Sequence, residues 1–196
     1  MICVILVVIN VIAFVALELF VPQNLSEFVK GACAMYWPAV TESGEYYRLL
    51  TSMFLHANST HLVNNMLILF LIGSRLEKVV GKVRVLLVYF LSGILAGMVS
   101  MGYNMWQDRL VMAVGASGAV FGLVGALVWV VIAHRGRVQD LTVRQMIFFT
   151  ALSLYGGFAE RQTDNAAHIG GLLAGFLLMM ILYGRGRRTR KIAPWS

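Results

Sequence analysis

Six apolar stretches dominate this chain, at residues 2–20, 62–80, 83–103, 115–133, 143–159 and 166–183, each between 17 and 21 residues long. An α-helix rises 1.5 Å per residue and the hydrocarbon core of a bilayer is about 30 Å thick, so runs of this length match a membrane crossing. Inside lipid every backbone N–H and C=O must be paired within the protein, which makes each run a helix. With 59% of the 196 residues apolar, 13% charged and all connections short but one, no soluble domain of useful size fits. The expectation is an all-α polytopic membrane protein. It is a single six-transmembrane-helix bundle over residues 1–196, with a long outer-face loop at 21–60 and a basic tail at 184–196. The first stretch has no basic flank before it and no small-residue cleavage site after it, and is expected to stay as a helix.

A net charge of +7 would admit nucleic acid, but the basic residues collect at the ends of the apolar runs. Twelve of the 16 Lys and Arg lie in three segments of one face, at 75–84, at 134–144 and in the tail. Lys30, Arg48, Arg109 and Arg161 lie on the other. The positive-inside rule then predicts both termini in the cytoplasm, with the second, fourth and sixth helices entering from outside. No nucleic-acid partner is expected. The tail is expected to rest on anionic headgroups, at about 1 kcal/mol per basic residue. Cys3 and Cys33 fall on opposite faces and cannot pair within one monomer. The loop at 21–60 carries Tyr36, Trp37, Tyr46 and Tyr47, aromatics suited to an interface, and is expected to lie partly inserted in the outer leaflet.

The candidate chemistry sits at the outer ends of three helices. The fourth opens with Gly115-Ala116-Ser117-Gly118. Ser117 either bonds back to a carbonyl one turn earlier, with the glycines easing helix packing, or acts as a nucleophile. The second role needs a base at the same depth, and His168, in the first turn of the sixth helix, is the candidate. Gly118, Gly122 and Gly125 share one face of the fourth helix, and Gly171 and Gly175 offer a matching one on the sixth. His61 and Asn65, four residues apart, share a face of the second helix. Ser59 or Thr60 would cap that helix. His56 and His61 lack a third ligand and no His-Glu-x-x-His is present, so neither metal nor cofactor is expected. Asp164 reads as a surface cap for the sixth helix, and Glu77 as the partner of a neighbouring base. Ser117, His168 and Asn65 all fall about 5–10 Å below the outer interface. The set is a Ser–His dyad without an obvious acid, with His61 and Asn65 as candidate oxyanion donors.

These residues resemble the rhomboid intramembrane serine proteases over essentially all six helices. Gly115-x-Ser117-Gly118 looks like that family's nucleophile motif, Ala167-His168-x-x-Gly171-x-x-x-Gly175 like its base motif, and His61-x-x-x-Asn65 like its oxyanion motif. Tyr47-Arg48 is similar to its Trp-Arg pair, with Tyr in place of Trp. Phe121 stands where many members have a Tyr that packs on the histidine; it can stack but cannot donate a hydrogen bond. The resemblance implies a serine endopeptidase of a prokaryotic plasma (inner) membrane, cutting single-span membrane protein substrates near the outer face. Its alternative is a catalytically silent rhomboid-like protein that binds membrane helices. A transporter would show broken helices or charged residues at the bilayer midplane, and neither is present.

Overall fold

The computed structural model describes residues 1–134, 137–138, 141–142, 144 and 164–184. The expected helix at 143–159 lies, but for Arg144, outside the described residues, as does the basic tail from 185 onward. What is described is helical, apart from a two-residue antiparallel hairpin, β1 (Arg137–Val138) and β2 (Leu141–Thr142).

Among the described residues, three helices are long and apolar enough to cross a membrane. The first joins α1 (Ile2–Val15) to a π-helical turn, Ala16–Phe20. Its first N–H groups are held by Glu77, whose Oε1 accepts from Ile2 N at 2.9 Å and whose Oε2 accepts from Cys3 N at 3.1 Å. Glu77 thus caps a helix, a use for both oxygens that pairing with a nearby base did not anticipate. The second long helix is α7 (Lys82–Trp106) and the third is α9 (Asn165–Leu182). Between α7 and α9 in sequence runs α8 (Ser117–Ala133), a shorter apolar helix.

The connection after α1 is not an open loop. It folds into α2 (Gln23–Cys33), α3 (Trp37–Glu42), α4 (Arg48–Thr51) and a 3-10 turn at Ser52–Phe54. Arg48 gathers it. Its Nε donates to Glu45 at 2.6 Å, and its NH1 group donates to the carbonyls of Gly31 at 2.7 Å and Ala34 at 2.9 Å. Those are end-of-helix carbonyls of α2, which no intrahelical donor can reach. Leu19, Phe20 and Phe28 remain 70–80% exposed, an apolar surface that suits lipid rather than water.

Residues 59–80 form one continuous helix, made of α5 (Ser59–Ile68), a π turn at Leu69–Gly73 and α6 (Ser74–Val80). At about 1.5 Å per residue it is about 33 Å long, enough to span the hydrocarbon core. It starts three residues before the predicted 62. The cap is Asn58, whose side chain accepts from His61 N at 2.8 Å, and not Ser59 or Thr60, which are helical.

The core is built on α8. Twelve of its 17 residues are buried, all round the helix, so it lies inside the others rather than facing lipid. The other helices turn apolar stripes outward at helical spacing: Ile5, Ile9 and Ile12 on α1, Leu87, Leu91 and Leu95 on α7, Leu173, Leu177 and Ile181 on α9. An apolar exterior is what a bilayer requires. At the far end Trp129 Nε1 donates to the Tyr183 carbonyl at 2.9 Å and Arg84 Nε to the Leu182 carbonyl at 3.1 Å, closing α9.

Candidate active site

α8 and α9 cross with almost no side chain between them. A methyl group added to Gly171 would land on the Gly118 carbonyl, one added to Gly175 on the Gly122 carbonyl, and one added to Gly125 on the Leu172 carbonyl. Glycine at these positions lets two backbones touch, which no larger residue permits. Gly118 also faces the Ala167 carbonyl. The residue after Ser117 is therefore flanked by the residue before His168 and by the one three after it. Ser117 and His168 stand at the same level on adjoining helices.

Ser117 is half-buried and lines a small cleft of about 40 Å³, with room for water, together with Ser52, Gly97, Ser100, Gly115 and Asp164. No side chain caps α8, so the backbone N–H groups at its head are not consumed by a capping oxygen. The approach to the serine is held by backbone pairing. Met35 and Ala113 exchange two hydrogen bonds, 2.9 and 2.8 Å, and Gly115 N donates to the Ser52 carbonyl at 2.9 Å. Gly115 has φ +134°, a conformation side chains rarely adopt. A Cβ there would also meet the His61 ring at 2.6 Å. His61 thus lies against the segment that leads into Ser117.

His168 is buried, and its ring stacks on Phe121 with centroids 4.3 Å apart and planes 17° from parallel. Its Nδ1 has no hydrogen-bond partner among the described residues. Among the described residues the ring is oriented by packing rather than by a carboxylate. Asn65 is buried, and its Nδ2 donates to the His61 carbonyl one turn earlier at 3.1 Å. A carboxamide nitrogen carries two N–H groups, so a second donor remains on that atom. His56, which sequence reasoning weighed only as a metal ligand, is 3% exposed and sets its ring edge-on to His61 at 5.3 Å. Burial, and then the neighbouring His61, push its pKa down to about 4, against a weak opposing pull from the Phe54 backbone. No group of three or more His, Cys, Asp or Glu able to hold a metal occurs among the described residues.

Three residues of the cleft were not expected there. Ser52 and Ser100 line the cleft, and Asp164, read as a surface cap, lines it too. The i, i+4 pair Ser100 and Asn104, inside an apolar helix, was the available signal.

A lipid-compatible bundle of apolar helices, organised around a half-buried serine and a buried histidine on touching helices, defines the class: a multi-pass helical membrane protein with an internal polar site. The chain belongs to the rhomboid family, since the Rhomboid domain model matches residues 43–185. It is 37% identical over 133 residues to Rhomboid protease GluP of Bacillus subtilis (strain 168), covering 68% of this chain and 25% of that protein. It is 39% identical over 158 residues to RHOMBOID-like protein 2 of Arabidopsis thaliana, covering 78% and 47%. It is 37% identical over 157 residues to Rhomboid protease AarA of Providencia stuartii, covering 69% and 56%. The chain thus spans between a quarter and little more than half the length of these relatives.

Proposed function

We propose that this protein is an intramembrane serine endopeptidase that cleaves single-span membrane proteins near the outer face of a prokaryotic plasma membrane, with both of its termini cytoplasmic. The observation that carries the reading is the crossing of α8 and α9 at Gly118 and Gly171, which holds Ser117 and His168 level with each other, with Ser117 on a small cleft that Ser52, Ser100 and Asp164 also line. Two relatives that bear the name rhomboid protease support the same chemistry.

Ser117 Oγ attacks the scissile carbonyl carbon while His168 accepts its proton. The tetrahedral intermediate collapses as His168 returns that proton to the leaving amine. A water molecule in the cleft then hydrolyses the acyl-enzyme by the same proton relay. The oxyanion is met by the backbone N–H of Ser117 at the uncapped head of α8, by the spare N–H of Asn65 and by the His61 ring. The Nδ1 of His168 has no partner among the described residues, which supports a dyad rather than a triad, with Phe121 doing the orienting. A substrate helix must unwind locally, because its carbonyl has to leave its own hydrogen bond before Ser117 can reach it.

The test is cleavage of a single-span substrate by the purified full chain in liposomes. Wild type should cut, and Ser117→Ala and His168→Ala should each abolish cutting while keeping wild-type helical content. Substantial activity in Ser117→Ala would end the proposal. A folded wild type that retains substrate helices without cutting them would mark a silent helix-binding member instead.

A further inference from the structure

The carboxylate of Asp164 does more than cap a helix. Its Oδ1 accepts from Ala167 N at 2.9 Å, and its backbone carbonyl accepts from His168 N at 3.1 Å. Both backbone donors next to the candidate base therefore end on one residue. Its Oδ2 accepts from Ser100 Oγ, in the outer half of α7. Ser100 is fully buried and in turn accepts from Asn104 Nδ2 at 3.3 Å. The same stretch of α7 touches both reacting helices. A Cβ on Gly118 would meet Ala96 at 2.6 Å, and one on Gly170 would meet Val99 at 2.8 Å. α7 is thus a common rail for the two turns that carry Ser117 and His168, and Asp164 is the polar fastening of the second turn to it.

We infer that Asp164 is a positioning residue, which through Ser100 locks the first turn of α9 onto α7 so that His168 faces Ser117. The inference rests on the Ser117–His168 reading above. A cap alone needs one oxygen, and Ser or Thr supplies it as well as Asp. The second oxygen, bonded to a serine more than sixty residues away in a different helix, is what a fastening needs. The two contacts go to separate atoms, so substitutions can remove them separately.

The experiment compares the full chain with Asp164→Ser, Asp164→Asn, Ser100→Ala and the double variant Asp164→Ser/Ser100→Ala. Cleavage of a single-span substrate in liposomes gives kcat and KM, with the melting midpoint taken on each preparation. Asp164→Ser keeps the cap but cannot reach Ser100, and should lose about tenfold in kcat with KM within twofold and a near-wild-type midpoint. Ser100→Ala should match it, and the double variant should be no slower than either single one, because all three break one link. Asp164→Asn can accept from Ala167 and donate to Ser100, and should stay within threefold of wild type. Wild-type kcat in Asp164→Ser overturns the inference, as does an Asp164→Asn as slow as Asp164→Ser. Ser117→Ala and His168→Ala run alongside. If they retain activity, the dyad and this inference fall together; if they are dead while Asp164→Ser is unimpaired, only this inference falls.

Discussion

Gly118→Ala puts one methyl group where α7 and α8 are closest beside Ser117, the proposed nucleophile. The new carbon would lie 2.6 Å from Ala96 Cβ, against about 3.5–4.0 Å for carbons in contact, so the helices must part by about 1 Å. Overpacking of that kind costs about 1–3 kcal/mol. Replacing a helical glycine returns about 1 kcal/mol, so the melting midpoint should move by only a few degrees. Activity is the sensitive readout, because a displacement of about 1 Å between reacting groups can cost about 100-fold. The assay is kcat on a single-span substrate in liposomes, beside the midpoint of the same sample. Ala96→Gly removes the carbon that is struck, so Gly118→Ala/Ala96→Gly should recover most of the lost rate, although Ala96→Gly alone costs about 1 kcal/mol of stability. A Gly118→Ala enzyme within threefold of wild type would refute the reasoning. So would a double variant as slow as the single, which would trace the loss to something other than Ala96.

Asn65→Ala should lower kcat by about 10²–10³ with KM nearly unchanged if Asn65 is an oxyanion donor, whereas a lower midpoint with normal kcat would leave it only its bond to the His61 carbonyl. Arg48→Ala takes the side-chain donor from the Gly31 and Ala34 carbonyls, and should lower stability by about 1–3 kcal/mol, read as a lowered midpoint in detergent. His56 is held neutral down to about pH 4, while an unfolded chain takes up the proton near pH 6.5. Its contribution is therefore full above pH 6.5 and is lost as pH falls toward 4, by about 3 kcal/mol at most. A His56→Leu protein whose midpoint falls as steeply over that window would refute this. Cys33, half-buried in the outer connection, should react with an impermeant maleimide in intact cells, and labelling only after permeabilisation would reverse the proposed orientation.

Helix existence was legible because the solvent is lipid: length and apolarity alone predict a crossing, and α1, α7 and α9 needed nothing more. The glycines at 118, 122, 171 and 175 were legible for a related reason, since only a backbone contact rewards glycine in an apolar helix. Boundaries were less so. Asn58 caps α5 because its side chain reaches His61 N, and sequence could not separate it from Ser59 and Thr60, which have the same chemistry. The connection at 21–60 read as a loop because α2, α3 and α4 are short. α2 is amphipathic but too short to cross a bilayer, and α3 and α4 are shorter still, held by Arg48 and by packing. Asp164 caps α9 as read, but its second contact was not legible, and His56 was misjudged because burial of a polar side chain depends on which helices close over it. For Asp164 the missing partner was Ser100, which lies in a different helix.

The pairing of Met35 with Ala113, and of Gly115 with Ser52, bears on how the protein can admit a substrate. Together they sew the segment before Ser117 to the folded outer connection along one seam, with Trp37 Nε1 adding a stitch to the Arg109 carbonyl at 3.0 Å. Prising that seam apart would strand several backbone groups in apolar surroundings, at about 1–3 kcal/mol each. Under the proposed function, a substrate helix would meet the greater resistance along this flank, and entry would be expected where side chains alone, rather than backbone bonds, bar the way.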